Sequence, residues 1–318
     1  MSLIEADGIA VRFAGRGLFQ RGPAVRALDG VSLTVGRGEA LGLVGESGSG
    51  KSTLGRVLLG LIEPDADRVT FDGHELATTA ARARRDLRPR MQLVFQDPNA
   101  SLDPRRRIGV QIADGLAINR LTPPAERPGR VAALLAQVGL DPSHAARFPH
   151  EFSGGQRQRI AIARALATSP DFLVADEPVS ALDVSVQAQV LRLLDDLRRR
   201  LGLALLFISH DIAVVRSLCE RVVVLYLGRV MEQGPASEIL RAPRHPYTQA
   251  LLSAVPRLNA ADRRERVVLA GEPPNPTAPP SGCVFRTRCA IAVAACADAR
   301  PPLHPVGPDH AVACIRAT

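Results

Sequence analysis

Lysine is almost absent from this chain: of its 40 basic side chains, all but one are arginine. Tryptophan is missing, and aromatics make up only 3% of the 318 residues, so the interior must be built from Leu, Val, Ile and Ala. With so few rings, no basic stretch is interleaved with aromatics as a stacking platform for bases would be. No nucleic-acid partner is expected, and the net charge of +8 is read as an arginine-rich surface. Long apolar runs are missing too. Stretches such as Leu203 to Ile208 and Val222 to Leu227 fall far short of the roughly 18–20 residues a membrane span needs. The run from Met1 to Asp7 has no basic region followed by an apolar core, so no signal peptide is expected, and the chain reads as soluble and cytosolic. Its length suggests about two domains at roughly 100–200 residues each.

The single lysine, Lys51, stands in Gly45-Glu46-Ser47-Gly48-Ser49-Gly50-Lys51-Ser52. A compact ammonium fits inside a loop of backbone amides where a planar guanidinium fork does not. The pattern G-x-x-x-x-G-K-[ST] is a phosphate-binding P-loop, in which glycines let backbone N–H groups face phosphates and Lys51 reaches the β/γ-phosphates. Ser52 can place its hydroxyl on Mg²⁺, and Ser47, Ser49 and Thr53 line the same cradle. The apolar run Ala40 to Val44 predicts a buried strand before the loop, and Thr53 to Leu61 predicts a helix after it. These residues point to nucleoside triphosphate binding.

Four further segments follow in order. Met91 to Asp97 reads as a strand that delivers Gln96 to a loop, and Phe152-Ser153-Gly154-Gly155-Gln156 opens a helix through Leu166. Phe172 to Glu177 is a buried strand ending in two carboxylates, followed by Ser180-Ala181-Leu182-Asp183; Leu205 to Asp211 is another strand, ending at His210. With these motifs, residues 1–240 resemble the ATPase subunit of ABC transporters, carrying its Walker A, Q-loop, signature, Walker B, D-loop and H-loop segments. The resemblance implies an α/β P-loop NTPase core with an antiparallel β subdomain and a helical subdomain at about 97–165, with ATP and Mg²⁺ as cofactors. The step from Gln96 to Ser153 leaves room for a compact helical subdomain and no long coiled-coil arm.

Asp176, at the C-terminal edge of a strand, is suited to hold Mg²⁺ beside Ser52, and Glu177 to orient or deprotonate the attacking water; the resemblance implies that Gln96 is the glutamine that senses Mg²⁺ and the γ-phosphate. An acidic pair capping the next helix is the bland alternative. His210 matches the family's γ-phosphate contact, although a lone histidine after a strand is more often structural. The resemblance makes Phe13 the candidate for the aromatic residue under adenine, against a reading as a core strand residue. Ser153 and Gln156 have the form of a capping box, and the glycines between them leave a helix N-terminus bare to attract anions. The family presents this end to the γ-phosphate of a second subunit. Ser153, Gly154, Gly155, Gln156 and Asp183 are therefore expected to act in trans, in a head-to-tail homo- or heterodimer. Phe152 replaces the leucine usual there.

From about residue 241 to 318 the composition changes. Pro273, Pro274, Pro276, Pro279 and Pro280 interrupt regular structure, and the tail holds four of the five cysteines. His245-Pro246-Tyr247-Thr248-Gln249-Ala250-Leu251-Leu252 and the run from Gly282 to Cys289 resemble the C-terminal extension of the oligopeptide/dipeptide branch of ABC importers. Cys283, Cys289, Cys296 and Cys314 are spaced C-x5-C-x6-C-x17-C. A reducing compartment disfavours disulfides. Structural zinc usually takes closer pairs; a [4Fe–4S] cluster also takes four thiolates and tolerates looser spacing; plain thiols are the third reading. Cys219 reads as a small core residue. A proline-rich tail with few large apolar groups is expected to bury little core and to gain from a metal crosslink.

The branch implies a peptide importer: two membrane permease subunits, an extracytoplasmic solute-binding protein, and this chain at the cytoplasmic face of the membrane. A nickel or other solute importer of the same branch is the nearest alternative. A soluble ABC protein acting on DNA or ribosomes would need a long coiled coil or two ATP modules. A non-hydrolysing module is opposed by Asp176, Glu177 and His210.

Overall fold

Strands rich in β-branched residues alternate with short amphipathic helices, and in the computed structural model they sort into two units. The structure describes residues 2–16, 21–254, 267, 269 and 271–317. One unit comprises Ser2–Val35, Ala40–Ala77 and Ile208–Thr318; the other comprises Gly36–Glu39 and Thr78–Phe207.

The first unit opens with β1 (Ser2–Arg16), β2 (Arg21–Gly36) and β3 (Ala40–Val44), then α1 (Lys51–Leu58), β4 (Ala66–Phe71) and β5 (His74–Glu75). A four-stranded sheet runs β2-β1-β4-β5. Ile4 opposes Phe71 and Ala6 opposes Val69 in antiparallel register, so these buried side chains share a face while Glu5 and Asp7 point to solvent. β3 is buried along its whole length, as a parallel strand covered on both faces must be. α1 stops at Leu58, short of the expected Leu61. The cause is Gly60, whose φ of 63° lets its N–H bond Val57 O while Leu61 N–H bonds Arg56 O, the Schellman closure of a helix.

The other unit carries α2 (Ala81–Leu87), β6 (Met91–Val94), α3 (Pro98–Ser101), α4 (Ile108–Ile118), α5 (Arg127–Gln137), α6 (Gly154–Leu166), β7 (Phe172–Asp176) and α7 (Val184–Leu201), and reaches into β8 (Ala204–Ser209). Its strands follow the order β8-β7-β6, with β6 and β7 parallel. Ile108, Ile112 and Leu116 bury one face of α4, and Val131, Leu134 and Leu135 bury one face of α5. This is the 3.6-residue periodicity of core-facing helices.

The first unit resumes with α8 (Ile212–Arg216), β9 (Arg221–Tyr226), β10 (Arg229–Pro235), α9 (Ala236–Arg241), α10 (Pro246–Ser253), β11 (His304–Gly307) and β12 (His310–Val312). Its strands run β11-β12-β10-β9-β3. The tail corrects one expectation. It contributes two strands, and Val284, Phe285 and Val312 are fully buried. Phe285 meets Tyr226 edge-on at 5.4 Å and Tyr247 at 5.3 Å, pairs that add about 0.5–1.5 kcal/mol each beyond burial. Val284, Phe285 and Val312 find buried places that composition does not reveal, while Ile291, Val293, Leu303 and Ile315 stay exposed. Glu232 of β10, 0% exposed, accepts from His310 Nε2 (2.8 Å) and from the N–H groups of Arg244 (2.7 Å) and His245 (3.0 Å). A buried carboxylate survives only with such partners.

His245 caps α10, its Nδ1 accepting from Tyr247 N–H at 3.0 Å. Burial lowers its pKa from 6.5 to about 3, against a hydrogen bond to the Ala313 backbone. The folded state therefore holds a neutral ring while the unfolded chain protonates it below 6.5. Stability is expected to be full above that pH and to fall by about 1.4 kcal/mol per pH unit below it. Thermal unfolding followed from pH 7.5 to 5 checks this, and His245→Asn should flatten the slope.

Candidate active site

The P-loop is built by backbone geometry at the end of β3. Gly45 has φ 157° and a Cβ there would collide with the Leu225 carbonyl oxygen; Gly50 has φ 104° and a Cβ would collide with the Ala27 carbonyl oxygen. Only glycine occupies both points. Gly50 is the N-cap of α1 and supplies no side-chain cap, so the helix begins at Lys51 with its N-terminus uncovered by a side chain. Lys51 is buried, and its Nζ donates to Gly45 O (2.8 Å) and Glu46 O (2.9 Å), arching over the loop. The Ser49 hydroxyl is buried within the loop without a hydrogen-bond partner, a polar atom that an anionic ligand would satisfy. Ser47 and Gly48 are exposed, and Ser52 and Thr53 stand in the first turn of α1.

In the same unit, His210 is exposed just after β8, and Asp211 caps α8 by accepting from Ala213 N–H at 2.8 Å. Phe13 on β1 is 44% exposed, which removes its reading as a core residue. Cys219 is buried, as expected of a small core side chain.

The other unit positions the carboxylates. Asp176 ends β7 and is buried; Glu177 follows with φ 46°, a left-handed conformation uncommon for a residue with a side chain. Gln96 Nε2 donates to Glu177 Oε2 at 3.1 Å. This pairing was not foreseen, although its signal is simple. Val94 and Ala175 are register partners in parallel β6 and β7, so residues two further on leave the strands side by side.

At α6, Ser153 N–H donates to Gln156 Oε1 (3.0 Å) and Gln156 N–H to Ser153 Oγ (3.3 Å), so the capping box forms. Ser153 and Gly154 are exposed, while a Cβ at Gly155 would collide with Val186. Phe152 is buried under the Arg147 guanidinium at 4.9 Å and beside His144 at 5.3 Å. Asp183 is the N-cap of α7 but makes no side-chain cap bond, and Val184 beside it is 82% exposed.

Cys283, Cys289, Cys296 and Cys314 line one small cavity together with Phe285 and Ile315. Burial pushes the Cys283 and Cys289 thiols up, and the neighbouring cysteines add to the shift. Among the described residues, no group of three or more His, Cys, Asp or Glu side chains is arranged to hold a metal ion. No helix among them is long and apolar enough to cross a membrane.

Residues 28–180 match the ABC transporter family, and residues 231–296 match the oligopeptide/dipeptide transporter C-terminal region. A Brucella ovis relative, provisionally named a peptide import ATP-binding protein, is 54% identical over 314 residues, 99% of either chain. The chain belongs to the ABC transporter ATP-binding family. The oligopeptide transport ATP-binding protein AppF of Bacillus subtilis is 50% identical over 94% of this ABC ATPase and 92% of its own length. A dimeric ATP-binding cassette in a post-hydrolysis state bound to ADP and Pi superimposes with a TM-score of 0.65 at 28% identity, over 73% of this chain and 98% of that one. The fold is thus the ABC ATPase cassette, and the chain is an ATP hydrolase coupled to transport.

Proposed function

We propose that this ABC ATPase powers the import of di- and oligopeptides. The observation that carries the peptide assignment is the match of residues 231–296, on top of the cassette, to the C-terminal region of oligopeptide/dipeptide transporters. In this reading the chain is peripheral at the cytoplasmic face of the membrane, paired with a second ATPase subunit and two permeases and served by an extracytoplasmic solute-binding protein. Capture of the chain from native membranes should bring down two permeases with a peptide-binding protein; capture with permeases for a metal ion would transfer it to the nickel reading.

At the ATP site, the P-loop from Gly45 to Thr53 wraps the phosphates, Lys51 leaves its own loop carbonyls for the β/γ-phosphates, and Phe13 stacks on adenine. Ser52, Gln96 and Asp176 would hold Mg²⁺, which when bound neutralises phosphate charge. Glu177 takes or orients the proton of the attacking water, and His210 contacts the γ-phosphate. Ser153, Gly154, Gly155, Gln156 and Asp183 serve the partner's nucleotide. Their solvent exposure at Ser153, Gly154 and Asp183 supports that role.

The four cysteines are proposed to hold a [4Fe–4S] cluster, with Zn²⁺ as the competing occupant. Support comes from the small cavity that the four cysteines share. Such a centre would crosslink the tail; no catalytic step passes through it. Protein purified without oxygen is expected to be brown, with iron and acid-labile sulfide near about four each per chain. Colourless protein with one zinc hands the site to the runner-up, and four alkylatable thiols without metal end both readings.

A further inference from the structure

Glu46, the first variable residue of the P-loop, is gripped by residues 201 and 242 positions downstream. Its N–H donates to the Tyr247 hydroxyl at 2.8 Å. Its carboxylate accepts a two-pronged bond from Arg288, Nη1 to Oε2 at 2.7 Å and Nη2 to Oε1 at 3.2 Å. The pair is shielded, the side chains being 7% exposed at Arg288 and 26% at Glu46. Nη1 of Arg288 also reaches the Tyr226 hydroxyl at 3.3 Å. Burial works against the Arg288 charge, but the bonds to Glu46 and Tyr226 outweigh it and raise its pKa.

The backbone of Arg288 belongs to the turn between Cys283 and Cys289. Its N–H bonds Phe285 O at 3.0 Å, and Phe285 is wedged against Tyr226 and Tyr247. Two consequences follow for the loop. Lys51 rests on the carbonyl of Glu46, so fixing Glu46 helps to fix the seat of the lysine. In addition, a carboxylate at the mouth of a phosphate cradle repels a triphosphate unless a cation offsets it. A bidentate guanidinium does both tasks; a rim lysine would do neither as well.

We propose that Arg288 is a positioning residue for nucleotide binding, which acts by neutralising and fixing Glu46 at the entrance of the P-loop. This rests on the P-loop being the nucleotide site, and the test separates the two. The full chain is titrated with a fluorescent ATP analogue and Mg²⁺ as wild type, Lys51→Ala, Arg288→Met, Glu46→Gln, and the double variant Arg288→Met/Glu46→Gln. Arg288→Met is expected to weaken binding about tenfold, in the range of a lost charge-assisted pair, with a smaller fall in kcat than in affinity. In the Glu46→Gln background, where no charge needs offsetting, the same change should cost less than about threefold. Should Arg288→Met not fold, Arg288→Lys replaces it, keeping the charge without the fork, with an expected loss of about threefold. Unchanged affinity in the Arg288 variant overturns the proposal. So does an equal loss with and without the Glu46 charge, which would make Arg288 a support of the tail alone. Normal binding by Lys51→Ala would instead remove the P-loop reading itself, and the proposal with it.

Discussion

Glu177→Gln is expected to bind ATP as tightly as wild type while turning it over at least about 10²-fold more slowly, the range for a lost acid–base group. The substitution keeps the shape and the acceptor oxygen that Gln96 Nε2 reaches at 3.1 Å. It removes only the charge and the ability to take a proton. The left-handed backbone at this position, φ 46°, strains glutamate and glutamine alike, so stability should change little. The measurement is single-turnover hydrolysis alongside equilibrium ATP binding. Wild-type turnover would exclude Glu177 as the catalytic carboxylate, and lost binding would make it a structural residue of the site. The Gln96 bond has a second consequence. Since that amide bonds the catalytic carboxylate directly, Gln96→Ala is expected to alter turnover more than affinity.

The parts of this site that sequence reveals are those made by neighbours in the chain. Gly45, Gly50 and Lys51 form one loop, Asp176 and Glu177 end one strand, and Ser153 and Gln156 close one capping box. Each depends on backbone geometry over a few residues, which residue type and spacing report directly. The features that escaped notice join distant segments. The Gln96–Glu177 bond needs the parallel register of β6 and β7. The grip of Arg288 and Tyr247 on Glu46 spans most of the chain. β11 and β12 are short, one of them contains Pro305, and neither shows the alternation that marks a longer strand. Their place beside β10 is set by tertiary partners, above all the His310–Glu232 contact at 2.8 Å between two buried side chains. In the sequence, Arg288 is one arginine among the many of this chain. Its burial distinguishes it, and burial is not readable from composition.

The second large effect is expected from dividing the defects between two subunits. Lys51→Ala should abolish hydrolysis by removing the cation that seats the phosphates. Ser153→Arg should do so by filling the exposed N-terminus of α6, where Ser153 and Gly154 face solvent. If each P-loop is completed by the signature of the opposite subunit, the two dead proteins complement one another. A mixed dimer of two copies joins the intact P-loop of one to the intact signature of the other, and its second site carries both defects. Random pairing of equal amounts in a two-fold dimer leaves about a quarter of all sites whole, so activity should return toward about a quarter of wild type on mixing. Either variant mixed with an equal amount of wild type should leave about half of all sites whole, as much activity as the wild-type chains give alone. A mixture as inactive as its components refutes a sandwich of two copies and directs the same experiment to a distinct ATPase partner. Full activity of a monomer, verified at the concentration used for hydrolysis, refutes the sandwich altogether. The exposed Val184 and the uncapped Asp183 at the start of α7 are placed on the same argument: a helix start left without its local cap bond is one that a partner's surface can complete.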